Sequence, residues 1–261
     1  MNKTLTKIGL ILLIGTIGVQ TFSCSSDNGS DGDSSSSTPS SSSVNVPSSS
    51  SAGNGENSGT FPDSRDGKTY KWVEIGEQTW MAENLNYNAS GSTCNGNVPA
   101  NCVTYGRLYD WSTAMGFEAS CNNADCVSEI DTKHRGVCPE GWHLPSNAEW
   151  DALYRFVAGD NACHDSGGWG YCETVGTKLR SKEGWGNDPG ADTDAFGFSA
   201  LPGGYGRDGY FYLDGDFGYW WSATQVDAGD AYIREINYNF EYAHWDYDYK
   251  SILFSVRCLK D

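Results

Sequence analysis

Paired acids, clustered aromatics and cysteines are the residues of this chain whose types and spacing can do chemistry. Asp214 and Asp216 flank Gly215, and Asp246 and Asp248 repeat the spacing in a tyrosine-rich stretch. Hard cations take several oxygens from a tight glycine-containing loop, so calcium held by Asp214, Asp216 and neighbouring carbonyls is the metal to expect here. Asp188 to Asp194 is a comparable stretch. The plain alternative is that these acids are solvated turn residues. Zinc is disfavoured, because no Cys-x-x-Cys pair exists and only His134, His143 and His164 stand near cysteines.

The aromatics give a second chemistry. Tyr210, Tyr212, Trp220, Trp221, Trp245, Tyr247 and Tyr249 concentrate in the last quarter of the chain with His244, among acids and amides. Rings stack on sugar faces while the polar groups bond hydroxyls, provided the rings are exposed. His244 and Trp245, flanked by Tyr242, Tyr247 and Tyr249, are expected in a loop and are the better ligand-binding candidates. Trp220 and Trp221 are weaker ones, because alternation along a strand sends about half of such rings inward. His143 beside Trp142 reads as a hydrogen-bonded turn residue. Hydrolase and nucleotide-binding readings drop, because no Gly-x-Ser-x-Gly, Walker or His-Glu-x-x-His pattern is present.

Short strands and loops must position these residues. Tyr70 to Ile75 alternates, Gly76-Glu77 can turn and Gln78 to Met81 resumes, predicting a β-hairpin. Ser146-Asn-Ala-Glu149 is a capping box opening a helix to Gly159, with Trp150, Leu153, Phe156 and Val157 as its apolar face. Val175 to Lys182 is a candidate second helix. Phe196–Leu201, Gly209–Leu213, Tyr219–Thr224, Ala231–Tyr238 and Ser251–Leu259 read as short antiparallel strands between Gly, Asp and Asn clusters. The order is an α+β pattern, not an alternating βαβ series.

The first residues are an address. Two cations lie in Met1 to Lys7, an uncharged and mostly apolar run follows from Ile8 to Val19, and Thr21-Phe22-Ser23-Cys24 closes it. This is a secretory signal, 1–23, whose end resembles the lipobox of bacterial lipoproteins, with Cys24 lipidated as the first mature residue. Residues 24–60 are rich in serine, carry no Lys or Arg and cannot bury enough apolar surface to fold, so they form a tether reaching about 35 Å. Asp27, Asp31 and Asp33 resemble the acidic signals that export some lipoproteins to the cell surface. The domain is then 61–261. Lipid anchoring at the cell envelope, on the periplasmic or surface face of an outer membrane, is the localisation expected.

With Cys24 acylated, eight cysteines remain, and oxidised pairs are the default in an exported chain. Local spacing suggests Cys94 with Cys102, Cys121 with Cys126, and Cys163 with Cys172. Cys138 and Cys258 are left, and joining them would close about 120 residues. The 261-residue chain has a formal net charge of −17, which excludes nucleic acid as a partner because phosphate binding needs clustered cations.

Seven strings occur in order: Asp66-Gly-Lys-Thr-Tyr70, Gln78-Thr-Trp-Met-Ala-Glu-Asn-Leu85, Tyr105-Gly-Arg-Leu-Tyr-Asp-Trp111, Cys138-Pro-Glu-Gly-Trp-His-Leu-Pro-Ser146, Phe196-Gly-Phe-Ser-Ala-Leu-Pro-Gly-Gly204, Trp220-Trp-Ser-Ala-Thr224 and Ser255-Val-Arg-Cys258. Over about residues 63 to 261 the chain resembles the Fibrobacter succinogenes major paralogous domain, a family of secreted or lipid-anchored proteins. The resemblance extends to C-type-lectin-like and formylglycine-generating-enzyme-like folds and implies such an α+β fold, with short antiparallel strands, one or two helices, long loops and Cys138–Cys258 as the long bridge. It does not transmit chemistry. The calcium-dependent sugar-binding strings of the lectins are absent, the cysteines have structural spacing, and 4 His hardly supply an iron site. The expectation is a lipid-anchored binding or adhesion module for polysaccharide or another envelope component, without catalysis. Open alternatives are a structural envelope protein with protein partners and an enzyme of unknown reaction.

Overall fold

Alternation in the first hairpin folds as expected. In the computed structural model, which describes residues 57–159, 163–186 and 192–261, β2 (Thr69–Ile75) pairs antiparallel with β3 (Gln78–Met81) around Gly76, whose φ of 62° suits a residue without Cβ. Cys24 and the leader lie outside the described residues. One boundary moves: Ser58, Gly59 and Thr60, assigned by composition to the tether, belong to β1 (Ser58–Pro62), which pairs with β2. Gly59 is tolerated there because the Trp72 ring covers it; a Cβ would lie 2.9 Å from the indole.

Four helices follow among the described residues, where one or two were expected. α1 (Pro99–Tyr105) starts with proline at its first turn, and α2 (Trp111–Met115) is capped by Asp110, whose side chain accepts from the Thr113 amide. α3 (Asn147–Ala158) has the predicted capping box: Ser146 accepts from the Glu149 amide and Glu149 from the Ser146 amide. Its buried face is Trp150, Leu153, Tyr154 and Val157. Phe156 is 55% exposed instead, since it falls off the i, i+3, i+4, i+7 stripe, and it meets Phe196 edge-on. α4 (Val175–Leu179) is a turn shorter than predicted.

The remaining strands are β4 (Leu108–Tyr109), β5 (Trp142–His143), β6 (Cys163–Asp165), β7 (Gly170–Cys172), β8 (Gly203–Arg207), β9 (Tyr210–Asp214), β10 (Phe217–Gln225), β11 (Asp230–Asn237), β12 (Ala243–Tyr249), β13 (Phe254–Ser255) and β14 (Leu259–Lys260). They form a five-stranded sheet in the order β1-β2-β3-β14-β5 and a nine-stranded sheet in the order β4-β13-β10-β11-β12-β7-β6, with β8 on β10 and β9 on β8. Two strand expectations fail. Phe196–Leu201 is irregular, with one isolated β-bridge, between Arg180 and Ala200, in place of a strand. Ser251–Leu259 is not one strand, because β13 belongs to the larger sheet and β14 to the smaller, and Val256 to Cys258 carry the chain between them.

Strand alternation feeds two cores. Trp221, Ile233 and Phe254 join Met81, Tyr70 and the apolar side of α2, while Trp220, Ile236 and Trp245 join Trp80, α3 and α4. The disulfides are Cys94–Cys102, Cys121–Cys126, Cys138–Cys258 and Cys163–Cys172. Among the described residues no helix is long and apolar enough to cross a membrane.

Candidate functional site

The recurrent strings of the sequence meet in the interior. Asn84 Oδ1 accepts from Trp220 Nε1 at 2.8 Å and from Arg257 Nε and Nη2 at 3.1 and 2.7 Å, while Asn84 Nδ2 donates to the Tyr105 carbonyl. Arg257 also donates to the carbonyls of Met81, Phe198 and Ser199. Five of the seven strings thus converge on one buried pair. Burial pushes the Arg257 guanidinium down to about 9. These residues hold the fold together and present nothing to a ligand.

Several expected ligand contacts are therefore corrected. Trp220 and Trp221 are fully buried, and the Trp221 indole donates to the Tyr109 carbonyl. Trp245 does not lie in a loop. It is in β12, paired with Arg234, 5% exposed, and its ring fills the space beside Gly170, where a Cβ would stand 2.2 Å from the indole. Tyr247 is half-buried, edge-on to Tyr232, whereas Tyr249 is exposed with the Arg207 guanidinium over its ring. His244 also reaches solvent, on the face of β12 opposite Trp245.

That face is set by register. Residues paired across antiparallel strands share a side of the sheet. Tyr212 pairs with Tyr205, Glu235 with both Tyr219 and His244, and Tyr171 with both His244 and His164. Gly204 of β8 pairs in parallel with Gly218 of β10, which sets the following Tyr205 beside Tyr219 at 5.7 Å between ring centroids. One side chain from each of β9, β8, β10, β11, β12, β7 and β6 thus lies in a single transverse row: Tyr212, Tyr205, Tyr219, Glu235, His244, Tyr171 and His164. Neighbours meet in pairs along it. Tyr212 stacks on Tyr205 at 5.1 Å, His244 Nδ1 is 3.8 Å from Glu235 Oε2, and Tyr171 stacks on His164 at 4.7 Å.

Exposure falls toward the middle of the row. Tyr212 is 42% exposed and the His164 side chain 52%, whereas Glu235 and His244 side chains are at 23% and 22%. More rings flank the row: Phe217 stacks on Tyr219, Tyr242 lies 5.2 Å from Tyr171 with Phe240 stacked behind it, and exposed Trp169 approaches His244 at 6.2 Å. Among the described residues none of the four tyrosine hydroxyls in the row is hydrogen-bonded, in contrast to the buried indoles of Trp111, Trp150, Trp220 and Trp221. Burial, then the charge of Glu235, pushes the Tyr219 phenol up, so it keeps its proton and can donate. Burial also raises the Asp248 carboxyl, helped by the charges of Asp230 and Asp246.

Asp214 and Asp216 belong to no group of three His, Cys, Asp or Glu ligand atoms within reach of one another among the described residues. Asp214 ends β9 in the open, and Asp216 follows in the turn into β10. Among the described residues the sole group of three potential ligand atoms within reach of one another is Cys121, Cys126 and Glu129, and both sulfurs are consumed by a disulfide. In the second acidic stretch, Asp192 pairs with Arg180 and Asp194 accepts from the Ser199 amide and hydroxyl, while residues 187–191 lie outside the described residues. The histidines considered for zinc are dispersed. His134 is bonded to the Met115 carbonyl, His143 to two carboxylates, and His164 belongs to the row. A cleft of about 660 Å³ lies between β1–β2 and the Ala195–Ser199 loop.

A disulfide-braced α+β domain with a tyrosine-rich sheet face is thereby defined. The chain belongs to the family of the Fibrobacter succinogenes major domain, whose model matches residues 73–260. No match was found among curated proteins, and none among solved structures.

Sequence reasoning found one member of the row, His244, as a ligand-binding candidate, and named Tyr212 only among the clustered aromatics. Tyr171, Tyr205, Tyr219, Glu235 and His164 were missed as site residues. They come from five different strands, and their separations along the chain follow loop lengths, so no periodic signal marks them.

Proposed function

We propose that this domain is a non-catalytic binding module that holds polysaccharide on the transverse row, tethered to the cell envelope through a lipid on Cys24. The observation that carries the reading is the row itself: unbonded tyrosine hydroxyls and ring faces on one side of a sheet, with a carboxylate and imidazole at the centre. Rings stack on the apolar faces of sugars, and the polar groups exchange hydrogen bonds with sugar hydroxyls. The secretory leader, the lipobox-like Thr21 to Cys24 and the serine-rich tether suit display of such a face.

The test is binding of the full-length protein to an array of plant and bacterial polysaccharides, with calcium and again with EDTA. Tyr171→Ala and Tyr205→Ala, at separate places in the row, are expected to weaken binding, and chelation is expected to leave it unchanged. An array without signal would transfer the proposal to protein partners at the envelope.

A further inference from the structure

The row spans six inter-strand steps, about 29 Å at the usual strand spacing of about 4.8 Å. A pyranose ring with its glycosidic oxygen advances an extended chain by about 5 Å on bond geometry, close to the roughly 4.8 Å between neighbouring strands. From the row's length, its rings at both ends and its charge, and resting on the binding reading above, we infer that the ligand is an internal stretch of about six sugars of a long, uncharged polysaccharide lying across the strands.

Three observations support this. The row is open at both termini, with Tyr212 and His164 its most exposed members, so nothing there is built to recognise a chain end. Ring pairs occupy both ends, Tyr212 on Tyr205 and Tyr171 on His164, whereas the centre is the polar Glu235–His244 pair. Stacking at the two ends can be collected together only by a ligand long enough to span them. Charge then selects among long glycans. Glu173 beside His164, Glu235, Asp246 and Asp248 near the middle, and Asp214 beyond Tyr212 give the row five carboxylates, with the Arg207 guanidinium near its Tyr212 end. A polyuronate would set carboxylate against carboxylate at a half-buried surface, whereas neutral hydroxyls donate to those same oxygens.

The test is calorimetric titration of the full-length protein with cello-, xylo- and manno-oligosaccharides of two to six units, and with polygalacturonate as the charged control. The expected result is an affinity that rises at least tenfold from trimer to hexamer in one neutral series, with no measurable binding of polygalacturonate. Tyr212→Ala and Tyr171→Ala should each weaken hexamer binding roughly 3- to 10-fold and flatten the dependence on length. An affinity that saturates at the trimer, or responds to one end of the row and not the other, overturns the across-strand pose while leaving the binding reading intact. Tight binding of polygalacturonate overturns the uncharged assignment. No binding of any glycan, here and on the array, removes both.

Discussion

His143 Nδ1 lies 2.8 Å from Asp261 Oδ1 at the end of the chain, and Nε2 of the same ring lies 3.0 Å from Glu149 Oε1 in the capping box of α3. A neutral imidazole has one N–H and cannot satisfy two carboxylates, so the folded protein holds His143 doubly protonated. Burial of the ring opposes the charge, but the bonds to Glu149 and Asp261 outweigh it and hold the pKa above the ordinary histidine value. Glu149 is shifted the other way: burial raises it, and bonds from His143 and Ser146 bring it below the usual carboxylate range. The histidine's contribution is complete below its unfolded pKa, roughly 6.5, and is lost as pH rises through the folded value. The glutamate's is complete above roughly 4.5 and is lost as pH falls through its folded value. The melting temperature should therefore be highest between about pH 4.5 and 6.5, and His143→Gln should flatten the alkaline side. A wild-type melting temperature that stays level from pH 6 to 9 would refute the double protonation.

The Cys138–Cys258 bridge joins residues 120 apart, and the other three bridges join residues 5 to 9 apart. On the chain-entropy model the long closure restricts the unfolded state by about 5 kcal/mol, and a short one by about 2.5 kcal/mol. Cys258 also lies where the chain passes from the nine-stranded to the five-stranded sheet, so its loss frees that crossing. The paired serine substitution at 138 and 258 should lower the guanidinium midpoint more than the same change at 94 and 102. Equal losses would show that loop length does not govern these bridges.

Asn84→Ala should destabilise the domain by about 3–5 kcal/mol, because it removes the acceptor shared by the buried Arg257 guanidinium and the Trp220 indole. The double variant Asn84→Ala with Arg257→Met should be less unstable than the sum of its parts, since the second change removes the stranded charge. Chemical denaturation of the four proteins in this cycle is the check, and strict additivity would mean that the two side chains do not depend on each other.

Legibility in the sequence followed the range of the physical cause. Local causes were readable: the β2–β3 hairpin from alternation around Gly76, and α3 from Ser146 and Glu149. Causes that act across the sheets were not. Trp245 stands among Tyr, Asp and His in a stretch with the composition of a loop, and only pairing with β11 and β7 turns its ring inward and leaves His244 outward. Val256 to Cys258 lie within a β-like run, yet the two sheets claim its ends separately. The row of seven required the whole strand order, which no single sequence displays.

Gly170→Ala tests how that face is held. A Cβ there would stand 2.2 Å from both the Trp245 ring and the His164 carbonyl, one on each neighbouring strand. Overpacking of this kind costs about 1–3 kcal/mol and is relieved by moving β6 and β7 away from β12. The shift would carry Trp169, Tyr171 and His164 out of line with His244. The variant should stay folded by circular dichroism, melt lower than wild type and bind the glycan hexamer more weakly. Unchanged binding alongside a lowered melting temperature would separate the row from the β6–β7 hairpin.

Lys250 gives the last prediction, because it is a fully buried ammonium whose hydrogen bonds among the described residues all go to uncharged oxygens. Its Nζ donates to Gln225 Oε1 at 3.1 Å, to the Ala124 carbonyl at 3.2 Å and to the Ala228 carbonyl at 3.3 Å, above the Trp111 ring at 4.4 Å. Burial pushes its pKa down, and the more distant Asp227, Asp125 and Asp230 push back. The three donated bonds and the ring hold the charge in place and join the loop before Cys126 to the turn between β10 and β11. Lys250→Met keeps the stem and removes the donors, leaving two backbone carbonyls unpaired at a cost of about 1–3 kcal/mol. Lys250→Ala should cost more, since it adds a cavity under Trp111. If the methionine variant matches wild type in guanidinium denaturation, the ammonium contributes no net stability, and the two loops are held by Cys121–Cys126 and the Gln225–Asp125 bond instead.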